Sequence, residues 1–159
     1  MSRKGTDMML SAVVAAGLAV LCQFSQPLCD QARVTPISLD SRLPGAFGYY
    51  DNRSKTVHLD PHITDRAEVA LELAHELQNA RYDAQHGGPY TAAYCIAQDS
   101  SAYATQAAFW QWYWNGADPR AYVPPDRYSL AFVQNVYAQS NPLVVAAVVQ
   151  QSCTPALGW

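Results

Sequence analysis

Residues 64–84 constrain the fold more than any other stretch, because their apolar and polar residues follow a helical period. Four apolar residues recur every three or four positions: Val69, Leu73, Leu77 and Ala80. Five polar residues recur with the same period: Glu68, Glu72, His75, Asn79 and Asp83. The pattern predicts an amphipathic helix with Thr64 as its N-cap. Its polar side either lines a cleft or faces water, and the spacing alone favours water.

Within this helix, the run His75-Glu76-Leu77-Gln78-Asn79 is one residue short of a zinc-hydrolase signature. In the motif H-E-x-x-H, two histidines four residues apart bind zinc, and the glutamate activates the metal-bound water. Here Asn79 replaces the second histidine, and its amide is a weak, neutral oxygen donor. The run therefore indicates either a zinc peptidase with altered ligands or a peptidase-shaped protein without its metal.

The other elements indicate an α+β domain, with a small hairpin edge followed by a predominantly helical part. Gly48-Tyr49-Tyr50 and residues 56–59 flank a polar turn and predict a β-hairpin. A β-prone run at 34–39 precedes the hairpin, and further helices are expected at 91–114, 124–139 and 143–151.

The predicted helix 91–114 ends in an aromatic cluster that includes Trp110, Trp112 and Trp114. A helix end with no polar side is either buried in the core or covered by a partner. The three tryptophans are therefore candidates for an interaction surface.

The sequence pattern divides the chain into an N-terminal apolar segment, residues 1–28, and a predicted domain, residues 29–159. Arg3 and Lys4 precede an apolar run at 8–24, which is typical of a secretory signal or a membrane anchor. The alternative is a buried helix of the domain, since alanine-rich runs also pack in cores.

Charged residues are 14% of the chain, against roughly 25% on average. We therefore expect an exported, periplasmic or envelope-associated protein, with membrane association through residues 8–24 as one mode.

The cysteines limit the possible disulfide pairings, and the basic residues limit the possible partners. If the first 25 residues are kept, the four cysteines form two disulfides in one of three pairings: Cys22, Cys29, Cys95 and Cys153. Removal of a signal would leave three. Lys and Arg total ten without clustering, so nucleic acid is not an expected partner.

Four short motifs follow one another between Gly45 and Trp114. They are Gly48-Tyr49-Tyr50-Asp51, Val57-His58-Leu59-Asp60-Pro61, Ala74-His75-Glu76-Leu77-Gln78-Asn79-Ala80 and Ala102-Tyr103. In this order they resemble a group of small bacterial metallopeptidases of the zincin class. The resemblance implies a zincin-like fold with His75 as a metal ligand, Glu76 as the general base and a third ligand on the next helix. This chain departs from the group at Asn79 and at Asp99, which lies near the place of a ligand glutamate.

Three interpretations remain at this point. The first is a zincin-like protein that no longer cleaves peptides, holds no cofactor and binds a protein partner or belongs to a multi-subunit assembly. The second is a working zinc peptidase in which His75 and Asp99, with Asn79 or His86, hold the metal and Glu76 is the base. The third is a purely structural component of an envelope assembly.

Overall fold

Helices dominate the protein, and a small three-stranded sheet accompanies them. The computed structural model describes residues 4–43, 47–123 and 127–154. The helices are α1 (Lys4–Phe24), α2 (Gln26–Val34), α3 (Arg66–His86), α4 (Ala92–Tyr113), α5 (Arg127–Gln139) and α6 (Pro142–Ser152). The strands are β1 (Ile37–Leu39), β2 (Gly48–Asp51) and β3 (Thr56–Leu59), and a short 3₁₀ helix spans Pro119–Ala121. The predicted α+β class is confirmed, while its zincin-like refinement stays a prediction.

The predicted hairpin forms two of the three strands. Strand β2 runs antiparallel to β3, with Tyr50 opposite Val57. Strand β1 pairs in parallel with the other edge of β3, so the strand order is β1-β3-β2. The β-prone run at 34–39 contributes fewer residues than predicted, because Val34 is the last residue of α2.

Helix α3 has well-defined ends. Asp65, rather than the predicted Thr64, is the N-cap, and its carboxylate accepts the backbone N–H groups of Ala67 and Glu68 at 2.9 and 3.1 Å. A carboxylate also suits the positive end of the helix dipole. Gly87 ends the helix in the left-handed conformation, at φ 65°, which glycine adopts without steric cost.

Both sides of α3 are buried. Val69, Leu73 and Leu77 of the predicted stripe belong to the core, in which α3 packs against α1, α2 and the sheet, and Ala80 is buried as well. The polar side is covered as well, with exposed fractions between 1% for Glu68 and 9% for Asn79. The expectation that this side faces water is therefore wrong, because α4 and β2 pack over it. Polar groups held inside a fold in this way require partners or a function.

Helix α1 belongs to the same core as α3. Val20 and Leu21 are buried there, at 8% and 0% exposed. Gly17 permits the close approach of the two helices, since a Cβ on it would lie 2.5 Å from Val69 Cγ1. None of the helices in the described part of the chain has the length and apolarity to cross a membrane.

Helix α2 was not expected from the sequence, although two residues mark its start. The Ser25 hydroxyl caps the helix by accepting the backbone N–H of Leu28, and Pro27 lies in the first turn. Proline is favoured there because the missing N–H would have no partner in the helix.

Two disulfides select one of the three pairings. Cys22 is bonded to Cys29, which ties α1 to α2. Cys95 is bonded to Cys153 across 58 residues, which ties α4 to the end of α6. Such bonds form and persist in an oxidising, extracellular-type environment, in agreement with the expected export.

Candidate functional site

The polar side of α3 forms the floor of a cavity of about 500 Å³. Strand β2 and helices α4, α5 and α6 contribute the walls. Four residues singled out from the sequence line it together: His75, Glu76, Asn79 and Asp99. A volume of this size suits a small molecule or a peptide side chain.

His75 is held by Asp99, from the facing helix α4. The two side chains meet at 3.0 Å between Nε2 and Oδ1. The other Asp99 oxygen accepts the hydroxyl of Ser152, at the end of α6, at 3.3 Å. The Tyr103 ring contacts the imidazole edge-on, with centroids 4.6 Å apart. The His75 Nε2 atom, which could face a metal, is therefore engaged by a carboxylate of the protein.

Glu76 and Asn79 are also in contact with each other. The Asn79 amide nitrogen donates to Glu76 Oε2 at 3.3 Å. This orientation leaves Asn79 Oδ1 buried, with no hydrogen-bond partner among the described residues. The other Glu76 oxygen lies 4.0 Å from His75 Nε2. The general base of the expected mechanism is thus held between an amide and an imidazole.

Glu72 extends the acidic floor by one helical turn. It is 7% exposed and lines the same cavity. Gly48 on β2 passes so close that a Cβ there would lie 3.0 Å from Glu72 Oε1. All three glutamates of the chain, Glu68, Glu72 and Glu76, lie in α3 and are buried. Such a concentration of carboxyl groups is costly to bury and indicates a dedicated site.

Burial and mutual charge shift the protonation of this cluster. Burial, and next the charge of Glu76, raise the pKa of Glu72 to about 8. Burial also raises the pKa of Glu76, although the charge of His75 and the Asn79 hydrogen bond oppose it. Burial alone would lower the pKa of His75, but the carboxylates of Glu76 and Asp99 raise it to about 9. At neutral pH, His75 is therefore a cation paired with Asp99.

The residues present fit a catalytic zinc ion poorly. Among the described residues, no group of three or more His, Cys, Asp or Glu side chains is placed to share a metal ion. The predicted set of His75, Asn79 and Asp99 supplies one imidazole, one carboxylate and one neutral amide. Zinc sites in hydrolases usually combine histidines with a carboxylate, all stronger donors than an amide.

A second polar network supports the hairpin end of the cavity. Asp83, 4% exposed, accepts the hydroxyls of Tyr50, Tyr90 and Tyr94 and the ammonium of Lys55, at 2.6 to 3.1 Å. Burial alone would raise the pKa of Asp83, but these four donors lower it. The network connects β2, the turn before β3, α3 and α4, and so fixes the wall that carries Tyr50 and Gly48.

The three tryptophans of α4 occupy different environments. Trp110 is 5% exposed, and its indole N–H donates to the Ala117 carbonyl at 2.7 Å. Trp114 stacks on Trp110 with ring centroids 3.9 Å apart. Trp112 is 43% exposed and also contacts Phe24 of α1. Trp112 is therefore the most exposed of the three tryptophans, and the interaction surface stays a prediction.

The sequence pattern placed Glu72 on the polar side of α3 and Tyr103 in a family motif, but neither of them, nor Ser152, was predicted as a site residue. The signal for Glu72 was present, because it lies three residues before His75 and therefore on the same helix face. Ser152 could not have been found, since only the fold brings α6 to Asp99. The other histidines lie elsewhere: His86 is exposed at the end of α3, and its Nδ1 contacts the Tyr82 carbonyl at 2.8 Å.

Comparison with protein-family models, with curated proteins and with solved structures finds no match to this chain. The zincin resemblance thus rests on the motifs in the sequence, and the site must be interpreted from its own geometry.

Proposed function

We propose that this chain is a zincin-like protein that does not hydrolyse peptides and uses the cavity over α3 as a binding site. One observation carries the proposal. Beside His75 and Asp99, the cavity supplies only the neutral amide of Asn79 as the third member of the expected metal set, and it still has room for a ligand.

The chemistry of the site supports binding over catalysis. A zinc peptidase needs a strong, positively charged ion to polarise its water and the substrate carbonyl. Asn79 offers only a neutral amide for such an ion, and its nitrogen is directed to Glu76. We infer that the hydrogen-bonding and charged groups of the cleft serve instead as contacts for a bound molecule.

The cellular environment expected for the protein extends this proposal. Two disulfides and a low charged fraction suit a protein exported to the periplasm or envelope. We propose that it acts there as a binding module of an assembly, with a protein as the source of the ligand. Trp112 is the part of the aromatic end of α4 that is exposed enough to contact that partner.

A peptidase assay tests the loss of catalysis. Purified protein is incubated with a mixed peptide library and added zinc, with and without chelator, beside the variant Glu76→Gln. We expect no chelator-sensitive cleavage and no difference between the two proteins. Cleavage by the wild type that both chelator and the Glu76→Gln change abolish would show a working metallopeptidase and overturn the proposal.

A further inference from the structure

The cavity floor has more hydrogen-bond acceptors than the protein supplies with hydrogen-bond donors. Asn79 is 9% exposed, and its Oδ1 has no hydrogen-bond partner among the described residues. Two turns earlier on α3, the Glu72 carboxyl receives no hydrogen bond from the described part of the protein. A buried acceptor without a donor carries a desolvation cost. A ligand that brings N–H donors to these atoms would remove this cost.

The charges of the cavity favour a positive ligand. Three carboxyl groups line it, those of Glu72, Glu76 and Asp99, and His75 is already paired with Asp99. Among the described residues that line the cavity, there is no lysine or arginine. Glu72 is neutral in the cavity at pH 7 and would ionise beside a cation, because a nearby opposite charge favours the charged form of a carboxyl group.

The walls would accommodate an apolar stem behind the charge. Phe47, Tyr103 and Phe132 line the cavity beside the acidic floor. Aromatic rings stabilise a nearby cation and also pack against methylene groups. The site thus combines an acidic floor with apolar sides.

We propose that the cleft binds an organic cation, an ammonium or guanidinium group on an apolar stem, through Glu72 and Asn79. The inference rests on the binding role proposed above and names the chemistry of the ligand. A lysine or arginine side chain of a partner protein and a free polyamine share this chemistry, and the experiment separates them.

Calorimetric titration with small probes tests the selectivity. The probes are N-acetyl-lysine methylamide, N-acetyl-arginine methylamide and spermidine, with N-acetyl-norleucine methylamide as the neutral isostere, all with chelator present. We expect a cationic probe to bind and the norleucine probe not to bind. Tighter binding of the amino-acid probes indicates a protein side chain, and tighter binding of spermidine indicates a polyamine. Binding of no cation, or equal binding of norleucine, would overturn the inference.

Two substitutions locate the site. Glu72→Gln keeps the shape of the side chain and should weaken binding by about tenfold or more, the effect of a lost charge-assisted hydrogen bond. Asp30→Asn, which removes an exposed charge on α2, is the matched control and should change nothing. Asn79→Asp adds a charge beside the ligand and should strengthen binding, which keeps the test available if Glu72→Gln does not fold. Unchanged binding in both cavity variants would contradict the assignment.

The two proposals fail in different ways. Chelator-sensitive hydrolysis would overturn the loss of catalysis, whereas missing cation selectivity in a protein without hydrolysis would overturn only the ligand assignment.

Discussion

At the residue scale, the protein places ionisable groups where burial opposes their charge. Glu72 is buried with a pKa raised to about 8 from 4.5, and His75 is buried with a pKa raised to about 9 from 6.5. In both cases the folded state keeps a proton that the unfolded state has lost, so stability decreases as pH rises. Binding sites are the usual place for such perturbed groups.

The variant Glu72→Gln should flatten this pH dependence. In the wild type, the free energy of unfolding should fall as pH rises from about 5 to 8, because unfolding releases the proton of Glu72. Glutamine has no proton to release, so the variant should show a shallower fall, most clearly below pH 6.5, where His75 is protonated in both states. Urea unfolding at a series of pH values measures the free energy of unfolding of both proteins. Identical pH profiles of the wild type and the variant would refute the burial of a neutral Glu72.

Among the carboxylates near the hairpin, Asp83 is expected to contribute most to the stability of the fold. Replacing it by alanine would leave three tyrosine hydroxyls and Lys55 without their shared acceptor. We expect a loss of about 2–3 kcal/mol in the free energy of unfolding. Asp118→Ala, which removes exposed contacts with Arg120, is the control and should lower the free energy of unfolding much less. Chemical denaturation of both variants compares them, and equal losses would show that the network contributes little.

At the element scale, the protein is organised around α3. Sequence patterns predicted this helix, the hairpin and α4, although Asp65 rather than the predicted Thr64 caps α3. It predicted the wrong environment for the polar side of α3, because period alone does not reveal that α4 and β2 cover that side. His75, Glu76, Asn79 and Asp99 were predicted as candidates and do line one cavity, whereas the His75–Asp99 pairing depends on how two helices pack.

The contact between α1 and α3 gives a test at this scale. Gly17→Val would place a branched side chain where a Cβ already lies 2.5 Å from Val69. Overpacking of this kind should lower the free energy of unfolding by about 1–3 kcal/mol. Ala15→Val, at an exposed position of the same helix, controls for the helix propensity of valine. Thermal unfolding measures both, and equal small effects would show that α1 does not pack tightly on α3 in solution.

At the scale of the whole molecule, one disulfide joins the first two helices and the other joins the end of α6 to α4. The Cys22–Cys29 bond closes a short segment between α1 and α2. The Cys95–Cys153 bond attaches α6 to α4, close to the Ser152–Asp99 contact at the cavity. It therefore stabilises the wall of the cavity as well as the fold.

The two disulfides should differ in how much each contributes to the free energy of unfolding. By loop entropy, removing the bond across 58 residues should cost about 4 kcal/mol, and removing the bond across 7 residues about 2 kcal/mol. Paired Cys→Ala variants of each bond, unfolded in urea under oxidising conditions, measure the difference. A larger loss for the Cys22–Cys29 pair would contradict this view of the Cys95–Cys153 bond.

The central claim is that the polar side of α3 binds a ligand and no longer supports zinc chemistry. The most direct measurement is the metal content of the purified protein by mass spectrometry after incubation with equimolar zinc and removal of excess. We predict substoichiometric zinc in the wild type and more zinc in Asn79→His, which restores the second imidazole of the motif. Stoichiometric zinc in the wild type that His75→Ala abolishes would contradict the claim.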